Sequence, residues 1–378
     1  MEFIKKIGKS ENGSVTVYVV STLIVVLLVT TTIYIGLRNK TTTQIKQMDK
    51  INKEYSVTDT DMQEAYDKAI MGTLESVKGT ETTNTTVKDN LGNQVVVPAG
   101  FKVVNKDANV TDGIVVEDVT HEATKGSQFV WIPVGDVIKD SAGNKETITL
   151  GRYVFNEDGT IDTALSKTEP GEQIQPSGYS NYFTEELKDS TTSNTHAKDI
   201  EDFKNKVTNT THGYYIGRYE SRTNGTQVTV KASDTVYNNI TQPEAAELSR
   251  KMYNDSNFES DLMNSYAWDT AIVFLQKFDN RANKTKPYSR QNSLNTGSLA
   301  SQGTNSLEDT SKQDVICNVW DMASNCYEWT TETCSSSYSP CTIRGGTYYD
   351  SGYYTSYRID YGTSYIDDVF SFRSLLYM

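Results

Sequence analysis

The sequence is poor in the residues that form most metal and catalytic sites. Its 378 residues include three histidines, His121, His196 and His212, and no two of them stand at the spacing of paired metal ligands. It contains no glycine loop that would cradle a phosphate, no nucleophile elbow and no internal repeat. The histidines are therefore predicted to be solvated loop residues, and the motifs predict no catalytic group.

Positive charge is also scarce. The chain carries 36 Lys and Arg against 49 Asp and Glu, which gives a net charge of −13 at pH 7. A protein that binds nucleic acid needs a basic surface to release phosphate counterions. The charge balance therefore excludes nucleic acid as the partner, and the dispersed acidic residues favour solubility.

Long hydrophobic runs are absent except for one near the N-terminus. Residues 12–37 contain no charged side chain, and a basic leader at 1–13 overlaps the start of this run. Residues 14–37 are long enough to cross a hydrocarbon core of ~30 Å as a helix. No small-residue cleavage site follows, so we predict a retained single-pass anchor.

The orientation of this span rests on two conflicting signals. Three lysines precede it and five Lys or Arg residues follow it, so the positive-inside rule does not favour an exported C-terminus. We place the C-terminal domain outside the cell because its cysteines are even in number. The leader also resembles the start of a type IV prepilin or pseudopilin with cleavage after Gly13, although Tyr18 stands where the usual acidic residue would be.

The four cysteines all lie in the C-terminal part of the chain. Cys334 and Cys341 would close a short loop, in which case Cys317 and Cys326 would form the second pair. Four cysteines allow three pairings, and the sequence does not choose among them. The alternative is four free thiols in a reducing compartment.

Hydrophobic patterning divides the remaining chain into three parts. Residues 38–78 are predicted to form a helical stalk, 79–94 a flexible linker and 95–378 one large domain. Alternating apolar residues predict strands at 94–104 and 113–119.

Two amphipathic helices are predicted inside this domain. The first, at 241–253, begins with Thr241 and Glu244 at the spacing of a capping box. The second, at 264–277, begins with Asn264 as its N-cap and carries apolar residues on one face.

The end of the chain carries three short motifs: VWDMASNCYEWT at 319–330, TIRGGT at 342–347 and SFR at 371–373. Their order and spacing resemble the formylglycine-generating-enzyme/sulfatase-modifying family, a version of the C-type lectin fold. The resemblance implies an α+β domain, preceded here by the membrane helix and the stalk. It also implies that the matching residues hold the fold. The two motif arginines, Arg344 and Arg373, would then be buried against carboxylates such as Asp321 or Glu328. These structural residues are Asp321, Trp329, Arg344, Gly345, Gly346, Phe372 and Arg373.

The residues that carry out the catalysis of that family are missing from this sequence. The oxidase members use a cysteine pair that aligns near Asp350 and Thr355, and neither residue is Cys. The resemblance therefore implies no catalysis and no copper cofactor. Asn325 and Glu328 are candidate oxygen ligands for a structural calcium ion of the kind that lectin-fold proteins often hold.

The segment 347–371 contains no Lys, Glu, Gln, Met or Trp. Codons that end in a pyrimidine cannot encode those five amino acids, and they can encode every residue that the segment does contain. This bias, and the position between Arg-Gly-Gly and Phe-Arg, resemble the variable regions that diversity-generating retroelements write into C-type-lectin-fold proteins. Tyr, Ser and Asp also suit an adaptable binding surface. The alternative is a fixed Tyr-rich loop in a lectin-like adhesin. The predicted contact residues are Tyr348, Tyr349, Asp350, Ser351, Tyr353, Tyr354, Ser356, Tyr357, Asp360, Tyr361, Ser364 and Tyr365.

These features together predict a membrane-anchored, surface-displayed protein that binds a ligand and has no catalytic activity. Its partner would be a protein or glycan on another cell, a phage or a host surface. One alternative is a minor pilin or pseudopilin with fixed specificity. Another is an oxidoreductase of the parent family, which the missing cysteine pair disfavours.

Overall fold

The computed structural model describes residues 71–156, 158–189, 194–232, 235–279, 314–347 and 354–378. The predicted leader at 1–13, the predicted membrane span at 14–37 and most of the predicted stalk lie outside these residues. Within the described ranges, no helix combines the length and the apolar character needed to cross a membrane. The described residues between Gly72 and Met378 form one compact unit.

The described part of this unit is a mixed structure, rich in sheet and with few helices. Its α-helices are α1 Ile200–Asn205, α2 Gln242–Lys251 and α3 Ser265–Phe278. Short 3-10 turns lie at Leu74–Ser76 and Val110–Asp112, and a π-helical turn, Lys206–Thr210, extends α1. The strands are β1 Gly72–Thr73, β2 Thr85–Lys88, β3 Gln94–Val97, β4 Phe101–Val103, β5 Val115–Asp118, β6 Gln128–Pro133, β7 Gly135–Ile138, β8 Lys145–Ile148, β9 Arg152–Phe155, β10 Ile161–Lys167, β11 Gln173–Ile174, β12 Phe183–Thr184, β13 Gly213–Gly217, β14 Arg222–Thr223, β15 Val228–Thr229, β16 Thr235–Val236, β17 Glu259–Leu262, β18 Val315–Ile316, β19 Val319–Trp320, β20 Tyr327–Cys334, β21 Cys341–Arg344, β22 Arg358–Tyr361, β23 Phe370–Phe372 and β24 Ser374–Tyr377.

One antiparallel sheet has the strand order β17-β24-β13-β6-β5-β4. Tyr215 of β13 lies opposite Trp131 of β6 on one side and Leu376 of β24 on the other. Every residue of β13 is buried, which explains why its sequence reads as a continuous apolar run. The last strand of the chain is therefore an interior strand of this sheet.

The second sheet contains the C-terminal motifs. Its strand order is β11-β12-β20-β21-β22, and β23 pairs in parallel with β20. All eight residues of β20 are buried. Among the described residues β22 is the edge strand. It comes from residues 347–371, which we call the Tyr-rich segment. Residues 358–361 of that segment therefore lie at the edge of this sheet.

Both predicted amphipathic helices are confirmed. The capping box of α2 is formed, with the Glu244 side chain accepting a hydrogen bond from the Thr241 backbone N–H at 3.1 Å. Asn264 caps α3 by accepting from the Ala267 backbone N–H at 2.8 Å. Every residue of α3 from 265 to 275 is buried, and the helix contacts strands of both large sheets. Polar residues on α3 consequently need partners inside the core.

The compact unit begins earlier than the predicted boundary at residue 95. Strands β1, β2 and β3 form a three-stranded sheet, in which Val87 lies opposite Val95 and both are fully buried. Within the predicted linker, Glu81 accepts hydrogen bonds from the backbone N–H groups of Lys78 and Gly79 at 2.9 and 2.7 Å. Residues 72–94 therefore belong to the domain, and their polar composition reflects turns rather than a free linker.

The predicted disulfides are not formed. All four cysteines are free thiols. Cys341 pairs in register with Thr333, so its neighbour Cys334 faces the other side of the sheet. Cys334 packs with Phe183, whereas the Cys341 sulfur lies 3.7 Å from the side-chain oxygen of Gln242. Two cysteines on opposite faces cannot be bridged without moving the backbone.

The second predicted pair is also absent. The Cys317 sulfur lies 3.4 Å from the carbonyl oxygen of Thr111. Cys326 is buried, and its backbone N–H donates to Glu220 at 2.9 Å. Burial raises the pKa of the Cys326 thiol well above its ordinary value, so this cysteine is a neutral core residue.

Candidate ligand-binding face

Seven of the twelve predicted contact residues are described, and all of them lie in or next to the edge strand β22. They are Tyr354, Ser356, Tyr357, Asp360, Tyr361, Ser364 and Tyr365. The other five, Tyr348, Tyr349, Asp350, Ser351 and Tyr353, lie outside the described residues. Strand β22 pairs with β21 so that Arg358 lies opposite Arg344.

These seven residues differ in exposure. Ser364 and Tyr365 are exposed, Tyr365 by 40%, whereas the other five are half-buried. The centroid of the Tyr361 ring lies 4.4 Å from that of Tyr365 and 4.8 Å from that of Phe370, a buried residue of β23. Tyr361 therefore packs onto the core as well as facing the surface.

A buried ionic network lies beneath β22, and most of its members were not predicted. Arg358 donates from Nη2 to Asp269 Oδ2 at 2.6 Å and from Nε to Glu332 Oε2 at 2.8 Å. Asp269 belongs to α3 and Glu332 to β20, so one guanidinium joins three elements. All three side chains are at most 1% exposed. A charge buried this deeply requires its partners.

Arg344, from the Arg-Gly-Gly motif, enters the same network from β21. Its Nη2 donates to Asp269 Oδ1 at 2.5 Å, and its Nη1 lies 3.4 Å from Glu332 Oε2. Its Nε donates to the backbone carbonyl of Tyr357 at 2.9 Å. Arg344 therefore ties the backbone of the Tyr-rich segment to the buried carboxylates.

Arg152 completes the network by donating from Nη2 to Glu332 Oε1 at 2.7 Å. Burial by itself would raise the pKa of Glu332, but the charges of the three arginines outweigh it and lower the pKa to about 2. Glu185, a buried neighbour, shows the opposite balance, since burial raises its pKa to about 7. The arginines therefore hold the Glu332 carboxylate in its charged form.

Acid should weaken this network. Because the pKa of Glu332 is lower in the folded chain than its ordinary value of 4.5, its stabilising contribution is complete above about pH 5 and is lost as the pH falls towards 2. We expect the difference in unfolding free energy between the wild type and Glu332→Gln to narrow by about 2 kcal/mol from pH 5 to pH 3. Urea unfolding at both pH values measures this, with the exposed Glu201→Gln as the control. A difference that stays constant would contradict the role of Glu332.

A second buried ion pair joins the closing Phe-Arg motif to the Asp-Met motif. Arg373 donates from Nε and Nη2 to the two carboxylate oxygens of Glu328 at 3.0 and 2.6 Å, a bidentate pair. Its Nη1 donates to the backbone carbonyl of Gly217 on β13 at 2.7 Å. Arg373 thus links the two large sheets. Glu328 is one of the two carboxylates expected as partners of the motif arginines. Arg344 instead pairs with Asp269 and Glu332.

The other motif residues fill buried or tight positions. Trp329 and Phe372 are fully buried. Gly345 has a φ of +85°, and a Cβ atom there would lie 2.9 Å from the carbonyl oxygen of Met322, so no side chain fits. Gly346 is buried next to it. These positions hold the turn after β21, from which the Tyr-rich segment starts.

Of the two candidate calcium ligands, Glu328 is already paired with a protein group. Both carboxylate oxygens of Glu328 accept from Arg373, and the Asn325 side-chain amide donates to Glu220. Asp321 is buried in a left-handed turn with a φ of 56°, and burial raises its pKa to about 6. Among the described residues, no three His, Cys, Asp or Glu side chains group as a metal site would require. The two oxygens of Glu328 are therefore paired with Arg373, and a structural calcium ion stays a prediction.

The histidines only partly match their prediction as solvated residues. His212 is exposed. His121 is half-buried, with Nδ1 2.9 Å from Asp118 Oδ1 and Nε2 3.3 Å from Asp255 Oδ2. His196 is half-buried, and its backbone carbonyl accepts from Arg250. Asp118 lies three residues before His121, whereas Asp255 lies 134 residues away and could not be inferred from local spacing.

Comparison with known proteins finds no matching family model. It finds no matching curated protein either. Among solved structures, the crystal structure of CarF matches 44% of this chain and 87% of its own, at 15% identity and a TM-score of 0.32. Treponema denticola variable protein 1 matches 66% of this chain and 95% of its own, at 10% identity and a TM-score of 0.32. PvdO from Pseudomonas aeruginosa matches 67% and 95%, at 11% identity and a TM-score of 0.31.

Proposed function

We propose that this protein is a non-catalytic ligand-binding protein with a C-type lectin fold, whose Tyr-rich segment is the contact surface and is diversified by a retroelement. The observation that carries the proposal is the separation of buried and exposed side chains around β22. Arg358 is buried in the ionic network, while Ser364 and Tyr365 reach solvent a few residues further on. The backbone is held by groups that need not change when the surface changes.

This separation is what a variable binding surface requires. Substitutions at exposed positions usually change stability by less than about 0.5 kcal/mol, whereas loss of a buried charge partner costs several. Tyrosine supplies a large, rigid contact with few rotatable bonds, and Ser and Asp supply adaptable hydrogen bonds. The segment combines these side chains at its surface with a fixed ionic core beneath.

The proposal extends to the rest of the chain. Residues 14–37 would anchor the protein in the membrane, and the domain would be displayed outside the cell to a protein or glycan of another cell, a phage or a host. Thr355 aligns near one cysteine of the oxidase members that the motifs resemble. It is fully buried, and its backbone carbonyl accepts from Trp268 Nε1 at 2.8 Å, which suits a structural position.

Binding capacity can be tested with a library. We expect that exchanging residues 356, 360, 364 and 365 among Tyr, Ser, Asp and Asn, with the full chain in ribosome display, yields binders to a model target such as lysozyme. A matched library of four positions in the β7–β8 turn, residues 140, 141, 142 and 144, is the control. Folding of the variants is checked by thermal unfolding, with expected shifts within about 4 °C. Recovery of equal binders from both libraries, or loss of folding in the first, would contradict the proposal.

Diversification is tested separately, at the level of the gene. The proposal expects a reverse-transcriptase gene nearby and a near-repeat of the 3′ coding end that differs from it only at adenines. If the genomic neighbourhood has neither feature, diversification by a retroelement is contradicted, and the alternative of a fixed binding surface is favoured.

A further inference from the structure

A second exposed loop lies beside the Tyr-rich segment. It is the β20–β21 turn at residues 335–340, and its Tyr338 is 90% exposed. A Cβ atom at Gly362, just after β22, would lie 3.3 Å from the Tyr338 carbonyl oxygen, so the two loops touch. We call residues 335–340 and 362–368 the two-loop surface. Tyr365 and Ile366 are 40% and 52% exposed on its other half.

Both halves of the two-loop surface are held by hydrogen bonds rather than extending freely. In the β20–β21 turn, Ser335 accepts from the Tyr182 backbone N–H at 3.0 Å and donates its own N–H back at 2.8 Å. In the second loop, the Tyr365 N–H donates to the Gly362 carbonyl at 3.1 Å. A loop whose backbone is already held loses less conformational entropy on binding, which favours a contact surface.

The charge of the two-loop surface has one sign. Asp367 and Asp368 stand at its end, Asp368 exposed and Asp367 half-buried, and neither loop contains Lys or Arg. Tyrosine faces attract a guanidinium or ammonium group, and carboxylates pair with it. Tyr365 stands two and three residues before these carboxylates, and this combination is complementary to Lys and Arg side chains.

We propose that the two-loop surface binds a polypeptide segment of the partner that carries Arg or Lys. This inference rests on the proposed function and names the chemistry of its partner. A polypeptide is favoured over a glycan because Tyr338 stands on a projecting turn, whereas small ligands are usually held in concave sites. Tyr338 lies outside the segment 347–371, so its contact stays constant while the segment varies. Tyr365, Asp367 and Asp368 lie inside the segment, so the preference for Arg or Lys is proposed for this sequence of it.

The test uses the full-length chain and a fluorescent peptide of alternating Arg and Gly, with a Glu-Gly peptide of equal length for comparison. We expect the Arg-Gly peptide alone to bind, and Tyr338→Ser to weaken it about five- to tenfold. Tyr338→Phe keeps the ring face and should stay within about twofold of the wild type. Asp367→Asn with Asp368→Asn should weaken binding about fivefold. Hydrogen exchange should show protection in residues 335–340 and 362–368.

The control for overall charge is Glu122→Gln with Glu201→Gln, two exposed residues elsewhere in the domain that give the same change in net charge. Equal weakening by this pair would show that the peptide follows net charge, and the inference would fail. Binding of the Glu-Gly peptide, binding of a glycan array instead of either peptide, or no binding would also overturn it. If library binders are found but do not depend on Tyr338 or the two aspartates, the proposed function stands and this inference alone is lost.

Discussion

Replacing Asp269 with Asn is expected to lower the free energy of unfolding by about 3–5 kcal/mol. The substitution is nearly isosteric, so α3 keeps its packing and loses one negative charge. Arg344 and Arg358 would then share Glu332 as their carboxylate partner in the network. A guanidinium cannot escape this by losing its proton, because its pKa lies above about 12. Equilibrium unfolding in urea measures the loss.

The matched control is Asp360→Asn, which makes the same chemical change on the half-exposed strand β22. It should change stability by less than about 0.5 kcal/mol. The loss at Asp269 should also be the same at pH 6 and pH 8, since the unpaired arginines stay charged across this range. Similar small losses at both positions would show that Asp269 does not hold the arginines in place.

The parts of the fold that follow local rules were predictable from the sequence. The capping box at Thr241 and the N-cap at Asn264 are set by residues within one helical turn, and both helices start where these signals place them. The alternating apolar residues at 94–104 and 113–119 likewise marked the strands β3, β4 and β5. The register that joins these elements into sheets was not available from such patterns.

The buried ionic network was missed because its members are far apart in sequence. Arg358 lies 89 positions from Asp269 and 26 from Glu332. One signal was present, since Arg358 is the only cation in a segment of 25 residues otherwise suited to contacts. An isolated arginine in such a surface is a candidate for a buried anchor rather than for binding.

The disulfide prediction failed for a related reason. We predicted a Cys334–Cys341 bridge because only a short loop separates the two residues in sequence. Side chains, however, alternate between the two faces of a strand. The partner of Cys341 in the register is Thr333, and a shift of one residue separates the two sulfurs by the thickness of the sheet. Spacing alone cannot supply the register.

Replacing Arg373 with Ala is the other change expected to cost about 3–5 kcal/mol, at pH 8. It leaves Glu328 buried without its bidentate partner, in a cluster with Glu220 and Asp321. Burial already raises the pKa of all three carboxyls, and the charge of Arg373 is the largest opposing influence on Glu328. Without Arg373, the pKa of Glu328 should rise further.

The sign of the pH dependence follows from that rise. A carboxyl whose pKa is raised in the folded chain favours folding at low pH, and this contribution is lost as the pH rises through the folded value. The loss caused by Arg373→Ala should therefore be smaller at pH 5.5 than at pH 8, by about 1–2 kcal/mol. Arg373→Lys, which keeps the charge, should lose less and depend less on pH.

The two largest predicted effects are thus distinguished by pH. Asp269→Asn leaves buried guanidinium groups that do not titrate, so acid gives no relief, whereas Arg373→Ala leaves carboxyl groups that acid neutralises. Urea unfolding of both variants at pH 5.5 and pH 8 separates the two cases. A loss for Arg373→Ala that does not change with pH would mean that Glu328 is not the group left uncompensated, and the link between the two sheets would then rest on the Gly217 contact instead.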